Sequence, residues 1–327
     1  MDHRTRMETC LGGETPDRTP VALWRHFPVD DMTPQGLANA HLHFQKTYDF
    51  DFLKVTPPSA YFLYDWGVED DWQGNFEGTR VYTKRVVNSP GDWEKLPPLD
   101  PTKGTLGGQL KALKTITAEL GPDTPVIHTI FNPLSLAKKL VGDEVLLEHL
   151  RQYPDKLHKG LEILLANSRE FVKIVAKETG VAGFFFATQH AQAGLLTWEE
   201  YEEFGRQYDL PLLEEAQSLW LNVLHLHGKD VFFEQFADYP VNVVNWHDRE
   251  TQPDLAKGKE IFSGVVCGGI RQWDALALGA PEQIEAEARS AIEATQGNRF
   301  VLGTGCVSQI ISPHGNLTAA RNVVDKT

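Results

Sequence analysis

Short β-branched or aromatic runs alternate along the chain with longer stretches of helical period, and this alternation restricts the folds open to it. Eight runs are predicted as strands: VALWRHF (21–27), FLKVTP (52–57), PVIHTIF (125–131), GFFFAT (183–188), LNVLHLH (221–227), VNVVNWH (241–247), IFSGVVCGG (261–269) and FVLGTGC (300–306). Strands that alternate with helices pair in parallel through right-handed crossovers, and eight such units close into a barrel. We therefore predict an α/β fold, a (β/α)8 TIM barrel, with a doubly wound sheet as the alternative.

Helical patterns occupy the intervals between these runs. The clearest cover residues 34–50, 106–121, 197–217 and 281–297. The interval 135–179 is predicted to contain more than one helix, with the break at Pro154, because proline cannot continue the backbone hydrogen bonding of a helix.

Residues 58–105 do not fit one strand–helix unit, since they are rich in aromatic residues, Gly, Pro and Asp. They lack the apolar periodicity that a separate core would need, so we predict an insertion over the barrel mouth. Residues 1–327 are accordingly predicted to form a single barrel domain.

The formal charge of −14 and the lack of any Lys/Arg cluster argue against two classes of partner. Nucleic acid and anionic membrane surfaces are both bound chiefly through clustered cations, so we expect neither. No run reaches the roughly 18 apolar residues of a membrane span. The polar segment 1–17 has no hydrophobic signal core, and we expect a cytoplasmic protein.

The run LHLHGKD (224–230) carries two histidines at a strand end. Residues i and i+2 of a strand point to the same face, so His225 and His227 should lie side by side. Active sites of such barrels form where the strands end, and Cys306 ends the last predicted strand. Two imidazoles and one thiolate would supply the three protein ligands that a catalytic zinc usually has, with the fourth position open to water or substrate, so we predict a Zn2+ site.

A structural interpretation of these residues stays open, because a strand-end histidine is often only a hydrogen-bonded structural residue. Cys267 is predicted to lie in the core or the pocket wall, and Cys10 to be an exposed thiol. His41 and His43 lie on a predicted helix, where positions i and i+2 diverge, so they are poor chelators.

Several other residues follow predicted strands and are candidates for the same mouth. Predicted substrate-binding residues are Trp24, His26, Gln189, His190 and Asn245. His247 is a predicted catalytic residue and a reserve metal ligand, and Arg25 is a second predicted catalytic residue.

The whole chain resembles the uroporphyrinogen decarboxylase superfamily. The resemblance runs through VALWRHF, YDFDFLKV, GLLTWEEYEEFGRQY, LHLHG, VVNWHD and GAPEQIEAEARSAIEATQGNRFVLGTGC. It implies a (β/α)8 barrel and one of two chemistries, tetrapyrrole decarboxylation or methyl transfer linked to cobalamin.

The decarboxylases of this superfamily carry two arginines in an Arg-Gln-Ala-Gly-Arg-Tyr motif after the first strand and an Asp near the second. Here Arg25 matches the first arginine, but Val29 stands at the second and Lys54 near the place of the Asp. A chain of net charge −14 without these groups is a poor receptor for an octa-anionic porphyrinogen, so we do not expect that reaction.

The methyltransferases that act on thiols carry His-x-Cys-Gly at the end of one late strand and a further Cys at the end of the last, all binding zinc. The resemblance places His225 on the family's His, His227 on its first Cys and Cys306 on its second. Histidine in place of cysteine makes the ligand set less anionic, and the zinc a stronger Lewis acid. A methyl ether or alcohol, as in O-demethylation, is then as suitable as a thiol.

The resemblance thus implies a zinc methyltransferase that moves a methyl group between a small-molecule donor or acceptor and a corrinoid protein. No corrinoid-binding Asp-x-His-x-x-Gly motif occurs in the sequence, so cobalamin is expected on a partner. Two alternatives stay open: a metal-free decarboxylase, and a non-catalytic binder of tetrapyrroles or corrinoids.

Overall fold

A parallel β-sheet is the framework of the molecule, whose computed structural model describes residues 1–325. Within that range the strands are β1 (Leu53–Val55), β2 (Glu69–Asp71), β3 (Val81–Lys84), β4 (Val126–Phe131), β5 (Gly183–Thr188), β6 (Val223–Leu226), β7 (Val243–Trp246), β8 (Val265–Ile270) and β9 (Phe300–Thr304). Seven of these described strands form one curled sheet in the order β1-β4-β5-β6-β7-β8-β9, with every pair parallel. The predicted α/β class is confirmed, and the order lacks the reversal of a doubly wound sheet.

Helices connect the strands and cover the outside of the sheet. They are α1 (His3–Leu11), α2 (Pro34–Tyr48), α3 (Gly104–Leu120), α4 (Pro133–Val141), α5 (Asp143–Gln152), α6 (Pro154–Glu178), α7 (Trp198–Tyr201), α8 (Gln207–Glu214), α9 (Leu255–Ile261), α10 (Pro281–Thr295) and α11 (His314–Asn322). The predicted break at Pro154 is confirmed, since α6 begins there. No helix in residues 1–325 is both long enough and apolar enough to cross a membrane.

Alternate residues of the strands face two separate hydrophobic layers. In β5, Phe185 packs in an inner cluster with Val223 of β6, while Phe184 and Phe186 pack in the outer cluster beneath the helices. Strands that are buried on both faces need apolar residues at every position, which explains the unbroken run GFFFAT. The same period of two decides which side chains face the interior at the strand ends.

The predicted barrel is confirmed only in part, because the first predicted strand, 21–27, forms no strand in the described chain. It makes a single parallel bridge between Val21 and Leu302. The Ala22 N–H donates to the Leu302 carbonyl at 2.9 Å, and the Leu302 N–H donates to the Pro20 carbonyl at 2.8 Å. Further along the segment, the Trp24 carbonyl accepts from the Ser308 N–H at 2.8 Å, beyond the end of β9, so the segment does not continue the ladder along that strand.

Two further differences concern the ends of elements. The strand predicted at 261–269 begins only at Val265, because α9 continues to Ile261 and a turn follows. The N-terminal helix α1 was not expected, and it buries Cys10 completely, with the thiol donating to the Phe300 carbonyl at 3.4 Å. The prediction of an exposed Cys10 is therefore wrong, whereas Cys267 is buried as expected.

The segment 58–105 contains the antiparallel hairpin β2–β3 and short helical turns. Trp93 of this segment is buried, and its indole N–H donates to His149 Nδ1 at 3.0 Å. The Asp65 carboxylate accepts from the Thr105 N–H at 2.9 Å, at the start of α3. These contacts fix the chain on the two sides of the hairpin to α5 and to α3.

One buried carboxylate ties the N-terminal segment to the sheet. Asp51 is 0% exposed and accepts hydrogen bonds from the Val21 N–H at 2.8 Å and from Arg6 and Arg18, each at 2.7 Å. Burial alone would raise its pKa, but the hydrogen bond from His3 and the Arg18 charge outweigh burial and hold the pKa at about 2. The Asp51 N–H in turn donates to the Val21 carbonyl.

We predict that Asp51→Asn lowers the free energy of unfolding in urea at pH 7 by about 3–5 kcal/mol, because two arginines lose a buried partner. The matched variant Asp17→Asn, whose carboxylate is 38% exposed and also pairs with Arg6, should cost less than about 1 kcal/mol. The folded pKa of Asp51 lies below the unfolded value of about 3.9, so its contribution is present above pH 4 and is lost as pH falls toward 2. Equal losses in the two variants would contradict this account.

Candidate metal centre

Three strand ends bring together His225, His227, His247 and Cys306, which we call the His/Cys cluster. One potential ligand atom from each residue lies within 4.8 Å of those of the other three. His225 is in β6, His227 follows it, and His247 and Cys306 follow β7 and β9. The Cys306 Sγ lies 3.7 Å from His227 Nδ1.

Hydrogen bonds fix which nitrogen of His225 is free. The Asn245 amide nitrogen donates to the carbonyls of Cys267 and Thr304, both at 2.9 Å, so its oxygen must face His225. That oxygen lies 2.7 Å from His225 Nδ1, which must therefore carry the proton. The lone pair of His225 is left on Nε2, as in a histidine prepared for a metal.

The imidazoles of His227 and His247 do not have a short side-chain hydrogen bond like that of His225 within the described residues. The His227 main-chain N–H donates to the Thr188 carbonyl at 3.0 Å, which fixes the backbone just beyond β6. His247 Nδ1 lies 3.7 Å from the Glu250 carboxylate, and its Nε2 is buried with no hydrogen-bond partner among residues 1–325. A buried nitrogen without a partner costs free energy, which a bound cation would offset.

Burial determines the protonation states of the cluster. It lowers the pKa of His225 well below the usual value and that of His227 to about 3, and the neighbouring imidazoles add to both shifts. Burial also raises the pKa of the Cys306 thiol to about 12. At pH 7 the three imidazoles are neutral and can donate lone pairs, whereas the thiol would ionise only when a cation binds.

The donor set of three imidazole nitrogens and one sulfur fits zinc. Zinc takes four nitrogen and sulfur ligands, while calcium and magnesium prefer oxygen, and the cluster contains no carboxylate within the described chain. Its total ligand charge would be −1, carried by Cys306 alone. Such a site is a stronger Lewis acid than one with two thiolates.

A cavity of about 220 Å³ opens in front of the cluster. Its lining includes His225, His227 and Cys306, and three of the predicted substrate-binding residues, which are Trp24, His26 and Gln189. His247 does not line it. The cluster thus faces a space large enough for a small molecule only.

Three other candidates lie outside the cavity lining. Asn245 is behind His225 and orients it. His190 is buried, with Nε2 3.4 Å from Asp143. The Arg25 guanidinium lies 4.9 Å over the Phe27 ring and donates to the Ile310 carbonyl at 3.2 Å.

Sequence reasoning missed the charge of the cavity. Among the described residues its lining contains five cationic side chains and one acidic one: Lys54, Arg80, Arg85, Lys138, Lys139 and Glu77. One signal was available, since Lys54 lies between two outward-facing apolar residues of a strand and must face the interior. The arginines could not be located, because they come from the hairpin over the mouth.

Comparisons with known proteins agree with this architecture. The methylcobamide:CoM methyltransferase MtbA of Methanosarcina mazei is 26% identical over 242 residues, which are 72% of this chain and 68% of that protein. The methylcobamide:CoM methyltransferase MtaA of Methanosarcina barkeri is 24% identical over 213 residues, which are 64% of this chain and 60% of that protein. The solved structure of a methyltransferase from Methanosarcina mazei covers 100% of this chain and 99% of its own, with a TM-score of 0.86 and 19% identity.

The likeness to the solved structure establishes the fold. The family assignment comes from the family model described as uroporphyrinogen decarboxylase (URO-D), which matches residues 2–327. Since that match spans nearly the whole chain, this protein belongs to the URO-D family.

Proposed function

We propose that this protein is a zinc-dependent methyltransferase that moves a methyl group between a small thiol or methoxy substrate and a corrinoid protein. The observation that carries the proposal is the His/Cys cluster, which has a donor set suited to zinc and faces a small cavity. The names of the curated relatives, methylcobamide:CoM methyltransferases, support the corrinoid part.

In this proposal His225, His227 and Cys306 hold the zinc, and His247 is the fourth ligand or the residue that a substrate replaces. Bound there, zinc would supply a Lewis acid that activates a thiol or polarises a methoxy oxygen. The protein's own contribution is to hold the ligands in place, above all through Asn245. It also excludes water with the walls formed by Trp24 and Phe185.

The corrinoid stays outside the cavity in this proposal. A volume of about 220 Å³ is below the usual range for drug-sized ligands, and a corrin ring is larger still. The cobalt must therefore approach the mouth on a partner protein. The hairpin β2–β3 borders that mouth, because Arg80, Tyr82 and Arg85 line the cavity.

We also propose a complete (β/α)8 barrel, in which residues 20–22 take the place of the eighth strand. This segment makes backbone hydrogen bonds to Leu302 on one side and to Asp51, just before β1, on the other. A closed ring is the geometry in which β6, β7 and β9 direct their ends to one mouth.

A metal-free decarboxylase is the second candidate, and the cationic lining of the cavity favours it. Two observations weigh against it for a tetrapyrrole substrate: the small volume, and the position of Arg25, which lies outside the lining. Zinc content separates the two candidates.

We predict that Cys306→Ser abolishes zinc binding and methyl transfer while the fold survives, because stability of a barrel resides mainly in its packed layers. Purified without chelators, the native protein should contain about one zinc per chain. The control is Cys267→Ala, a buried thiol in β8 outside the cluster, which should retain its zinc. A zinc-free native protein, or a Cys306→Ser variant with unchanged zinc and activity, would refute the proposal.

We further predict that Asn245→Ala weakens zinc affinity about 10–100-fold, because His225 loses the acceptor that sets its tautomer. The dissociation constant would be measured by competition with a chromogenic chelator. Thr188→Val is the matched control, since it removes a buried hydroxyl whose one hydrogen bond within residues 1–325 goes to the His225 backbone carbonyl. The account fails if the two variants bind zinc equally well.

A further inference from the structure

We infer that a second site of this protein binds an alkylguanidinium, a small organic cation, through the carboxylate of Asp31. The site is a groove of about 370 Å³ between the first turns of α2 and α3, which we call the α2–α3 groove. Its lining includes Asp31, Pro34, Pro58, Tyr64, Asp65 and Gln109. The groove shares no lining residue with the cavity beside the His/Cys cluster, so the inference does not depend on the proposed function.

The first observation is a set of three buried oxygens that lack hydrogen-bond donors. Asp31 is 3% exposed and Gln109 is 5% exposed, and both line the groove. The two carboxylate oxygens of Asp31 and the amide oxygen of Gln109 have no hydrogen-bond partner among residues 1–325. A buried acceptor without a donor costs free energy, and a ligand that brings N–H groups to it would offset that cost.

The second observation is the sign of the groove's charge. Within the described chain its lining contains two carboxylates, those of Asp31 and Asp65, and no cationic side chain. The Asp65 carboxylate already accepts from the N–H groups of Thr105 and Leu106, at the start of α3. The negative charge that lacks a partner is therefore that of Asp31, and it would attract a cation.

Arg80 is the cation of the hairpin region whose charge acts on Asp31, but it is paired elsewhere. Its Nε lies 2.6 Å from an Asp70 oxygen, and Asp70 also accepts from the Tyr64 hydroxyl at 2.7 Å. No described atom of Arg80 comes within the 4.0 Å of an ion pair with Asp31. The pairing with Asp70 thus leaves Asp31 without a counter-ion.

The charge of Asp31 depends on pH in the physiological range. Burial raises the pKa of its carboxyl group to about 7, Arg80 opposes this rise, and the carboxylates of Asp70 and Asp30 add to it. A bound cation favours the ionised carboxylate over the neutral acid. Binding near pH 7 should therefore release a proton, and affinity should rise with pH.

The donors and acceptors favour an organic cation over a metal ion. Calcium and magnesium take about six or more oxygen ligands. Within the described chain the His/Cys cluster is the one group of three or more His, Cys, Asp or Glu side chains that could hold an ion. A guanidinium has five N–H donors in one plane, which match the two oxygens of a carboxylate and leave further donors for an amide oxygen.

The size and walls of the groove suit a guanidinium that carries an alkyl group. A volume of about 370 Å³ lies within the usual range for small-molecule sites. Pro34 and Pro58 give the groove apolar surface, and the Tyr64 ring offers an aromatic face to a cation. The cavity beside the His/Cys cluster would repel the same ligand, because its lining is mostly cationic among the described residues.

The test is calorimetric titration of the zinc-loaded protein with ethylguanidinium and with ethylurea, its neutral analogue of similar shape. At pH 8 we expect ethylguanidinium to bind at one site and ethylurea to bind at least about tenfold more weakly. Affinity for ethylguanidinium should fall about tenfold between pH 8 and pH 6, because protonation of Asp31 removes the charge that holds the cation.

Asp31→Asn should weaken ethylguanidinium binding at least about tenfold, and Gln109→Met, which removes one neutral acceptor, about threefold. The matched control is Asp30→Asn, an exposed neighbour outside the groove lining, which should change affinity less than about threefold. Circular dichroism would verify the fold of each variant. If Asp31→Asn does not fold, Gln109→Met and the pH dependence of the native protein decide.

The inference is overturned if ethylguanidinium does not bind, if ethylurea binds as tightly, or if the folded variants at Asp31 and Gln109 bind like the native protein. Displacement of ethylguanidinium by calcium would also overturn it, because the groove would then be a metal site. None of these measurements involves methyl transfer, so the two proposals can fail separately.

Discussion

The hydrogen bond between His225 and Asn245 is the contact on which the rest of the site depends. Asn245 stands in register with His225 on one neighbouring strand and with Cys267 on the other, and its amide also reaches the Thr304 carbonyl. One buried side chain thus joins the ends of β6, β7, β8 and β9. The Asn245 amide makes all three of these hydrogen bonds at once, so rotation of the side chain would break them. Its orientation in turn leaves Nε2 of His225 free for the cluster.

The sequence predicts much of this arrangement because the governing rules are local. Alternation of strand and helix patterns is sufficient to predict a parallel sheet. The period of two along a strand is sufficient to predict that His225 and His227 face the same side. The prediction that Cys306 lies beside these two histidines required only the rule that the ends of parallel strands converge. Residues 21–27 look like a strand by composition, but a strand forms only where neighbours supply a ladder, and here only Val21 makes a bridge.

Properties that arise from distant segments could not be predicted. Helix α1 buries Cys10 through contacts with β9, nearly the whole chain away in sequence. The cationic cavity combines residues of β1, α4 and the hairpin β2–β3, and the net charge of the whole protein has the opposite sign. Total charge argued against a highly anionic tetrapyrrole, whereas the charged side chains that line the cavity within the described chain are mostly cationic.

The most direct test of this account is X-ray absorption spectroscopy at the zinc K-edge on the native protein and on Cys306→Ser. The account predicts one sulfur at about 2.3 Å and the remaining ligands as nitrogen or oxygen at about 2.0–2.1 Å, with imidazole scattering. It also predicts that Cys306→Ser retains no zinc and gives no zinc edge above background, whereas Cys267→Ala keeps the native spectrum. A native spectrum without sulfur, or with two or more sulfurs, would contradict a centre built from His225, His227 and Cys306.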